Sequence, residues 1–272
     1  MITHKKMIAD GKLVATELKE KIIAKLATSG TKQVCFVIFG NDHGSRQFIS
    51  MKCRFAESLS ISTKVFEYSD KTTFEEIVGI VKDIVNLNCN GIVIQLPLPV
   101  GFPVQEILNL VPIELDIDVL SDKAKEAYKN GLSDKIPPVS RAVLEILNFY
   151  NIKLEEKEIL IIGSGKLVGE PVASMFKLKN ISFNVIDKNT EKDLQKKLIS
   201  SADIIISGAG DSYFIKPEMI KTGVVIIDAG TSEQSGKIVG DVDPQCALKA
   251  SLLTPVPNGV GPVTLASLFL NI

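Results

Sequence analysis

The chain has 272 residues, of which 45% are hydrophobic and 23% charged, the balance of one large or two medium soluble α/β domains. A net charge of -1 gives no reason to expect nucleic acid or an anionic membrane as partner. No apolar run is long enough to span a bilayer and Met1–Lys6 leads into no leader-like apolar core, so a cytoplasmic protein is expected. Cys35, Cys53, Cys89 and Cys246 are scattered without CxxC spacing. That pattern argues for free, mostly buried thiols, against a disulfide framework and against a structural zinc site; no metal is expected.

Short β-branched apolar runs alternate with helical patterns, which predicts an α/β fold of βαβ units on a parallel sheet. The first predicted strand is Val34–Phe39, ending at Gly40. A helix follows over about 45–59, with Ser45 as its expected N-cap. Next come a strand at Lys64–Tyr68 and a helix from Thr73 to Leu87, with Thr73 and Glu76 at capping-box spacing. A third strand, Gly91–Leu96, is stopped by Pro97 and Pro99. The stretch Ile113–Pro138 is polar and irregular and reads as a loop and domain junction. After a helix over Arg141–Tyr150, four more strands are expected at Glu158–Ile162, Ser182–Ile186, Asp203–Ile206 and Val224–Ile227. Their fully apolar character predicts a sheet covered on both faces.

The strand ending at Ile162 runs into Gly163-Ser164-Gly165-Lys166-Leu167-Val168-Gly169 and then an apolar helix. This is GxGxxxG, one residue longer than the GxGxxG fingerprint. Glycines in a strand–turn–helix setting let the backbone approach a pyrophosphate, and the helix N-terminus favours its charge. Asp187, at the end of the next strand, is placed to bond adenosine ribose hydroxyls, which favours NAD. Lys188 is placed to neutralise the 2′-phosphate of NADP. The residues alone leave that choice open.

Lys52 lies on the helix after the first strand, with Phe48 four residues earlier on the same face. Gln95 ends the third strand, and Asp116 and Asp118 lie in the junction loop. Because ligands of open α/β sheets sit beyond the carboxyl ends of strands, these residues are expected around one cleft. A lysine buried in such a cleft is suited to proton transfer. Taken singly, each has an ordinary reading: a solvated helix lysine, a strand-end amide, a loop acid, a core aromatic.

Four ordered segments together resemble the methylenetetrahydrofolate dehydrogenase/cyclohydrolase family. Thr254-Pro255-Val256-Pro257-Asn258-Gly259-Val260-Gly261-Pro262-Val263-Thr264 is similar to the family's TPVPGGVGPMT loop. Gly91–Pro99, GIVIQLPLP, resembles its G-hydrophobic-QLPLP segment. Val168–Pro171 and Gly236–Val242 match its VGxP and GKxxGDV motifs. The resemblance implies a folate-binding catalytic domain over 1–119, with 262–272 returning to it, and a Rossmann-like NAD(P)-binding domain over 120–261. It implies Lys52 as the catalytic lysine, Gln95 as the residue that tunes it and Asp118 as the pterin's partner. It implies Gly163, Ser164, Gly165, Lys166, Val168, Gly169, Asp187 and Lys188 at the dinucleotide. Pro255, Pro257, Gly259 and Gly261 would line the folate end of the cleft. NADP, less often NAD, is the implied cofactor, a tetrahydrofolate derivative the substrate, and a homodimer the usual assembly.

The sequence also departs from the pattern. Phe48 stands where the family usually has tyrosine, so hydrolysis of the methenyl product is expected to be weaker than hydride transfer. The family's Asp-Gly-Phe is Asp118-Val119-Leu120, and its Pro-Cys-Thr-Pro is Pro137-Pro138-Val139-Ser140. Gly165 replaces a serine and Asn258 a glycine. The returning C-terminal helix is expected to be short. These departures leave a catalytically silent folate- or nucleotide-binding paralogue as the alternative. A protein resembling shikimate dehydrogenase is opposed by the GIVIQLPLP and TPVPNGVGPVT segments.

Overall fold

The computed structural model describes residues 7–28, 30–234 and 236–272, so the reading of Met1–Lys6 lies outside the described residues. The chain divides into two compact units. The first holds Leu18–Pro138 with Leu265–Ile272, and the second holds Val139–Thr264 with the described residues up to Glu17. In chain order the early elements are β1 (Met7–Ile8), α1 (Gly11–Leu26), β2 (Gln33–Phe39), α2 (His43–Glu57), β3 (Ser62–Tyr68), α3 (Phe74–Val85) and β4 (Gly91–Ile94). Then come α4 (Val104–Leu108), α5 (Asp122–Lys129), α6 (Pro138–Phe149), β5 (Ile159–Ile162), α7 (Gly169–Leu178), β6 (Asn184–Ile186) and α8 (Lys192–Ser201). The last are β7 (Ile204–Ser207), β8 (Val225–Asp228), β9 (Ser232–Gln234), β10 (Lys237–Val239), β11 (Leu252–Leu253) and α9 (Val260–Phe269).

In the first unit a three-stranded parallel sheet runs in the order β3-β2-β4. β2 is central and buried from Val34 to Phe39, as a strand flanked and covered on both faces must be. Val37 pairs with Phe66 on one side and Ile94 on the other. Thr73 caps α3 through the reciprocal bonds that its spacing to Glu76 predicts.

The second unit is built on a six-stranded parallel sheet in the order β1-β11-β8-β7-β5-β6. From β5 the chain goes to β6 on one side and to β7 on the other. The carboxyl ends of β5 and β7 therefore form the topological switch point where doubly wound sheets bind their ligands. A short antiparallel hairpin, β9 with β10, stands apart from this sheet.

Several local expectations are corrected. Asp42, not Ser45, caps α2: its Oδ2 accepts from Ser45 N at 2.6 Å, and the helix begins two residues earlier than expected. The junction contains a helix, α5, where a loop was expected. The domain boundary moves accordingly, because 120–138 belongs with the first unit. Gln105 Nε2 bonds Leu120 O at 3.1 Å, Asn109 and Asp122 bond each other, and Lys135 Nζ reaches Ile113 O at 2.9 Å. These bonds fasten the stretch to the α4 region that precedes it. At the far end, the return to the first unit starts at Leu265 rather than 262. Helix α1, with Val14, Leu18 and Ile22 buried along one face, was not among the predicted elements. The thiols of Cys35, Cys89 and Cys246 are buried, Cys53 is half-buried, and all four are free, as expected. Among the described residues no helix is long and apolar enough to cross a membrane, and no cluster of three metal-ligating side chains occurs.

Candidate active site

Three of the four catalytic candidates in the first unit come together. Lys52 Nζ, on α2, donates to Gln95 Oε1 at 3.1 Å and stands 3.9 Å from Asp118 Oδ2. Gln95 is placed by the sheet: its amide continues the β2–β4 ladder by donating to Val37 O at 2.8 Å, and its side chain is buried. The lysine and aspartate side chains are 17% and 23% exposed, shielded from bulk water yet open enough to meet a ligand.

Asp118 owes its place to the segment before it. Ile92 N donates to Leu115 O at 2.8 Å, and Ile92 pairs with Asp116 as an isolated parallel bridge. Gly91 makes this approach feasible, since a Cβ there would lie 2.8 Å from Ile117 Cδ1. The two junction acids have different work. Asp116 is buried and accepts from Leu120 N at 3.0 Å and Ser121 N at 2.8 Å, shaping the entry to α5. Among the described residues Asp118 accepts no backbone amide, so its oxygens remain available. Burial pushes the Asp118 carboxyl above its ordinary range, Lys52 pulls it down, and the Asp116 charge adds to the rise.

Phe48 lies one turn before Lys52 on α2 and is 46% exposed, so its ring is surface for a partner rather than core. Val119 follows Asp118 with φ 57°, a left-handed conformation uncommon for a β-branched residue. Glycine at this position, as in the Asp-Gly-Phe pattern, has no such difficulty.

In the second unit the glycine turn joins β5 to α7 at the switch point. A Cβ on Gly163 would come 2.6 Å from Gly208 O, and one on Gly169 would come 1.8 Å from Gly163 O. A Cβ on Gly165 would meet nothing within 4 Å. Two glycines are thus demanded by the fold, and the third leaves open space at the turn. Ser164 Oγ donates to Asp187 Oδ2 at 2.9 Å, linking the turn to the end of β6. Hydrogen bonds from the Asn189 amide and from Ser164 hold Asp187 below its usual range, so it is a fixed negative charge. Lys166 and Lys188 are exposed, and Val168 is half-buried.

Two buried acids, Asp228 and Asp241, were not among the predicted site residues. Asp241 accepts from Ser207 Oγ and Ala209 N, each at 2.7 Å, and from Asp211 N at 2.9 Å. Asp228 accepts from Gly230 N at 3.0 Å, Asp241 N at 3.2 Å and Val242 N at 3.0 Å. Each carboxylate lies against a glycine of the other's segment. A Cβ on Gly230 would be 2.2 Å from the Asp241 carboxyl, and one on Gly240 would be 2.0 Å from Asp228 Oδ2. Thr254 Oγ1 accepts from Asp228 N at 2.7 Å and ties in the loop after β11. In that loop Gly259 is packed against Pro255 O, Pro255 is half-buried, and Pro257 and Gly261 are exposed.

The sequence falls into two family domains in the order the fold requires. Residues 9–118 match the catalytic domain of tetrahydrofolate dehydrogenase/cyclohydrolase, and 137–272 match its NAD(P)-binding domain. The chain belongs to the tetrahydrofolate dehydrogenase/cyclohydrolase family. The bifunctional protein FolD of Mycoplasmopsis synoviae is 37% identical over 248 residues, covering 88% of this chain and 87% of that protein. The crystal structure of the bifunctional FolD enzyme of Campylobacter jejuni superposes with a TM-score of 0.90 at 31% identity, covering 97% of this chain and 96% of that one. The FolD of Trypanosoma brucei, solved with NADP and an inhibitor, gives 0.89 at 26% identity and covers 98% and 96%. Nothing in these relationships favours a silent binding protein.

Within this family the Lys52–Gln95–Asp118 cluster gains a chemical context. The missed residues had a signal in the sequence. Asp228 ends a fully apolar strand, and Asp241 sits in the GDV motif, which the resemblance used only as a family mark.

Proposed function

We propose that the chain oxidises 5,10-methylenetetrahydrofolate to the 5,10-methenyl form with NAD(P) and hydrolyses that product to 10-formyltetrahydrofolate, the second step slowed by Phe48. The Lys52–Gln95–Asp118 cluster carries this reading, since it sets a proton-transfer group beside a carboxylate with unused acceptors. Bound NAD(P) supplies the hydride acceptor. The clearance over Gly165 and the Ser164–Asp187 bond fit such a nucleotide.

Lys52 has the acid–base role. Gln95 Oε1 takes one N–H of its ammonium group and so fixes its direction. When water adds to the methenyl carbon, a proton must leave that water and another must reach N5 as its bond to the carbon breaks. Lys52 Nζ relays these protons. Asp118 accepts hydrogen bonds from pterin nitrogens and holds the ring in register with Nζ. The exposed Phe48 ring offers a face to the pterin but has no hydroxyl to orient Lys52 or the water. Pro255, Pro257, Gly259 and Gly261 form the remaining folate contacts in this reading, and Asp187 and Lys188 receive the adenosine ribose end of the nucleotide. The enzyme acts in the cytoplasm as a homodimer, which sedimentation of the purified protein tests directly.

The functional test is absorbance of the protein with 5,10-methylenetetrahydrofolate and NADP or NAD, with Lys52→Ala as control. Methenyl product and reduced nicotinamide should form together, with methenyl accumulating ahead of its hydrolysis. A folded protein that produces neither with either nucleotide would end this reading.

A further inference from the structure

The end of the chain reaches the Asp118 segment through one side chain. Asn271 is buried. Its Nδ2 donates to Ile117 O at 2.8 Å and Ile136 O at 2.9 Å, and its Oδ1 accepts from Ile136 N at 3.1 Å. Both amide protons and the oxygen are therefore committed to main chain. The turn that carries Asn271 is itself held, because Lys25 Nζ donates to Leu270 O at 2.8 Å and Ile272 O at 3.0 Å. Phe269 packs its ring 5.5 Å from that of Phe55, on the same helix as Lys52.

Ile117 directly precedes Asp118, so the carbonyl that Asn271 grips belongs to the peptide joining the two. The same stretch is gripped elsewhere. The Ile117 side chain packs over Gly91, and the Asp116 carboxylate holds the amides of Leu120 and Ser121. Between these grips lies Val119 in the left-handed region. A β-branched residue persists there only where its surroundings over-determine the backbone. Without Asn271, the Ile117–Asp118 peptide would lose one of the bonds that resist relaxation of Val119. Asp118 would then drift relative to Lys52, 3.9 Å away.

We propose that Asn271 is a positioning residue for the folate half-reaction: its carboxamide fixes the Ile117–Asp118 peptide, and through it the direction in which Asp118 meets Lys52 and the pterin. The inference rests on the role given to Asp118 above. It extends the site to residue 271, which the catalytic-domain match at 9–118 does not reach.

The test is Asn271→Ala in the full-length protein, assayed well below its melting temperature. The KM for 5,10-methylenetetrahydrofolate should rise about tenfold or more, as expected when a binding group is misplaced. The NADP dissociation constant, measured with the nucleotide alone, should stay within about twofold, because that ligand uses other residues. Leu268→Val, buried in α9 just before that turn and without a polar role, controls for stability: it should lower the melting temperature and leave the folate KM unchanged. Should Asn271→Ala fail to fold, Asn271→Ser keeps one donor and should show an intermediate rise. An unchanged folate KM in the folded variant would overturn the proposal. So would a folate KM that rises equally in Leu268→Val. If the unmodified enzyme itself failed to turn over folate, the functional reading would fall instead, which keeps the two failures apart.

Discussion

Lys52 and Asp118 face each other across 3.9 Å, an ion-pair distance too long for a direct hydrogen bond. The carboxylate is therefore not saturated by the lysine. Burial outweighs the attraction of Lys52 in setting its proton affinity, so the folded protein holds the ionised form at some cost. Asp118→Asn should raise the folate KM about tenfold while leaving the melting temperature at neutral pH equal to or above that of the unmodified protein. Steady-state kinetics and a thermal melt at one pH check both halves. A lower melting temperature with an unchanged KM would make Asp118 a purely structural acid.

Phe48→Tyr should restore a hydroxyl one helical turn from Lys52, on a side chain already exposed. Hydrolysis of methenyltetrahydrofolate is expected to accelerate about a hundredfold, the lower end of the range for a positioned acid–base group. Hydride transfer should change by less than about twofold, since it depends chiefly on placement of the two rings. Following methenyl decay alone and reduced nicotinamide alone separates the two steps.

The glycine turn offers a paired test. Gly169→Ala places a Cβ 1.8 Å from Gly163 O, against backbone that cannot yield cheaply, so both stability and nucleotide binding should fall. Gly165→Ala meets nothing within 4 Å, so its melting temperature should hold. Its affinity for NADP should also stay within about twofold, because the family pattern carries a serine here and a Cβ therefore fits beside the nucleotide. Nucleotide titration of both variants reads the difference.

Asp187 is a fixed negative charge at the end of β6, held by Ser164 and the Asn189 amide. Such a charge accepts ribose hydroxyls and repels a 2′-phosphate. Asp187→Ser should therefore shift the ratio of affinities toward NADP and away from NAD, by about tenfold. Equal loss for the two nucleotides would show that Asp187 only supports the turn.

Asp228 has a distinctive pH signature. Burial, with the Asp241 charge adding to it, raises the Asp228 carboxyl to about 7. The folded state thus binds this proton more tightly than the unfolded chain does. The resulting stability is fully present below the ordinary carboxylate pKa of about 4 and is lost as pH rises to about 7, above which it stays absent. A carboxyl carbon NMR titration should find the midpoint near 7, and Asp241→Asn should lower it by removing the neighbouring charge. A midpoint near about 4 in the native protein would refute this account.

Much of this architecture was legible in the sequence. The buried strands announce themselves as β-branched runs, and Thr73 with Glu76 marks its helix start by spacing alone. Lys52, Gln95 and Asp118 are far apart in the chain, yet the rule that ligands sit beyond strand carboxyl ends gathers them around one cleft, and the resemblance adds a role for each. What stayed hidden was hidden for physical reasons. β1 and β11 have two residues each, too few to show a period. Helix α5 is polar on most positions, and its start is signalled by Ser121 and an acid five residues upstream, Asp116. Ser45 and Asp42 are both good capping residues, so composition could not choose between them. Asn271 has no local side-chain pattern, because every bond its carboxamide makes is to residues at least 135 positions away.

The reciprocal fit of Asp228 with Gly240 and of Asp241 with Gly230 bears on how this family can drift. Neither glycine can gain a side chain unless the facing acid moves, and neither acid can be shortened without leaving amides bare in the interior. The four positions should therefore change only together. A segment exchanged between relatives should keep 228–241 together.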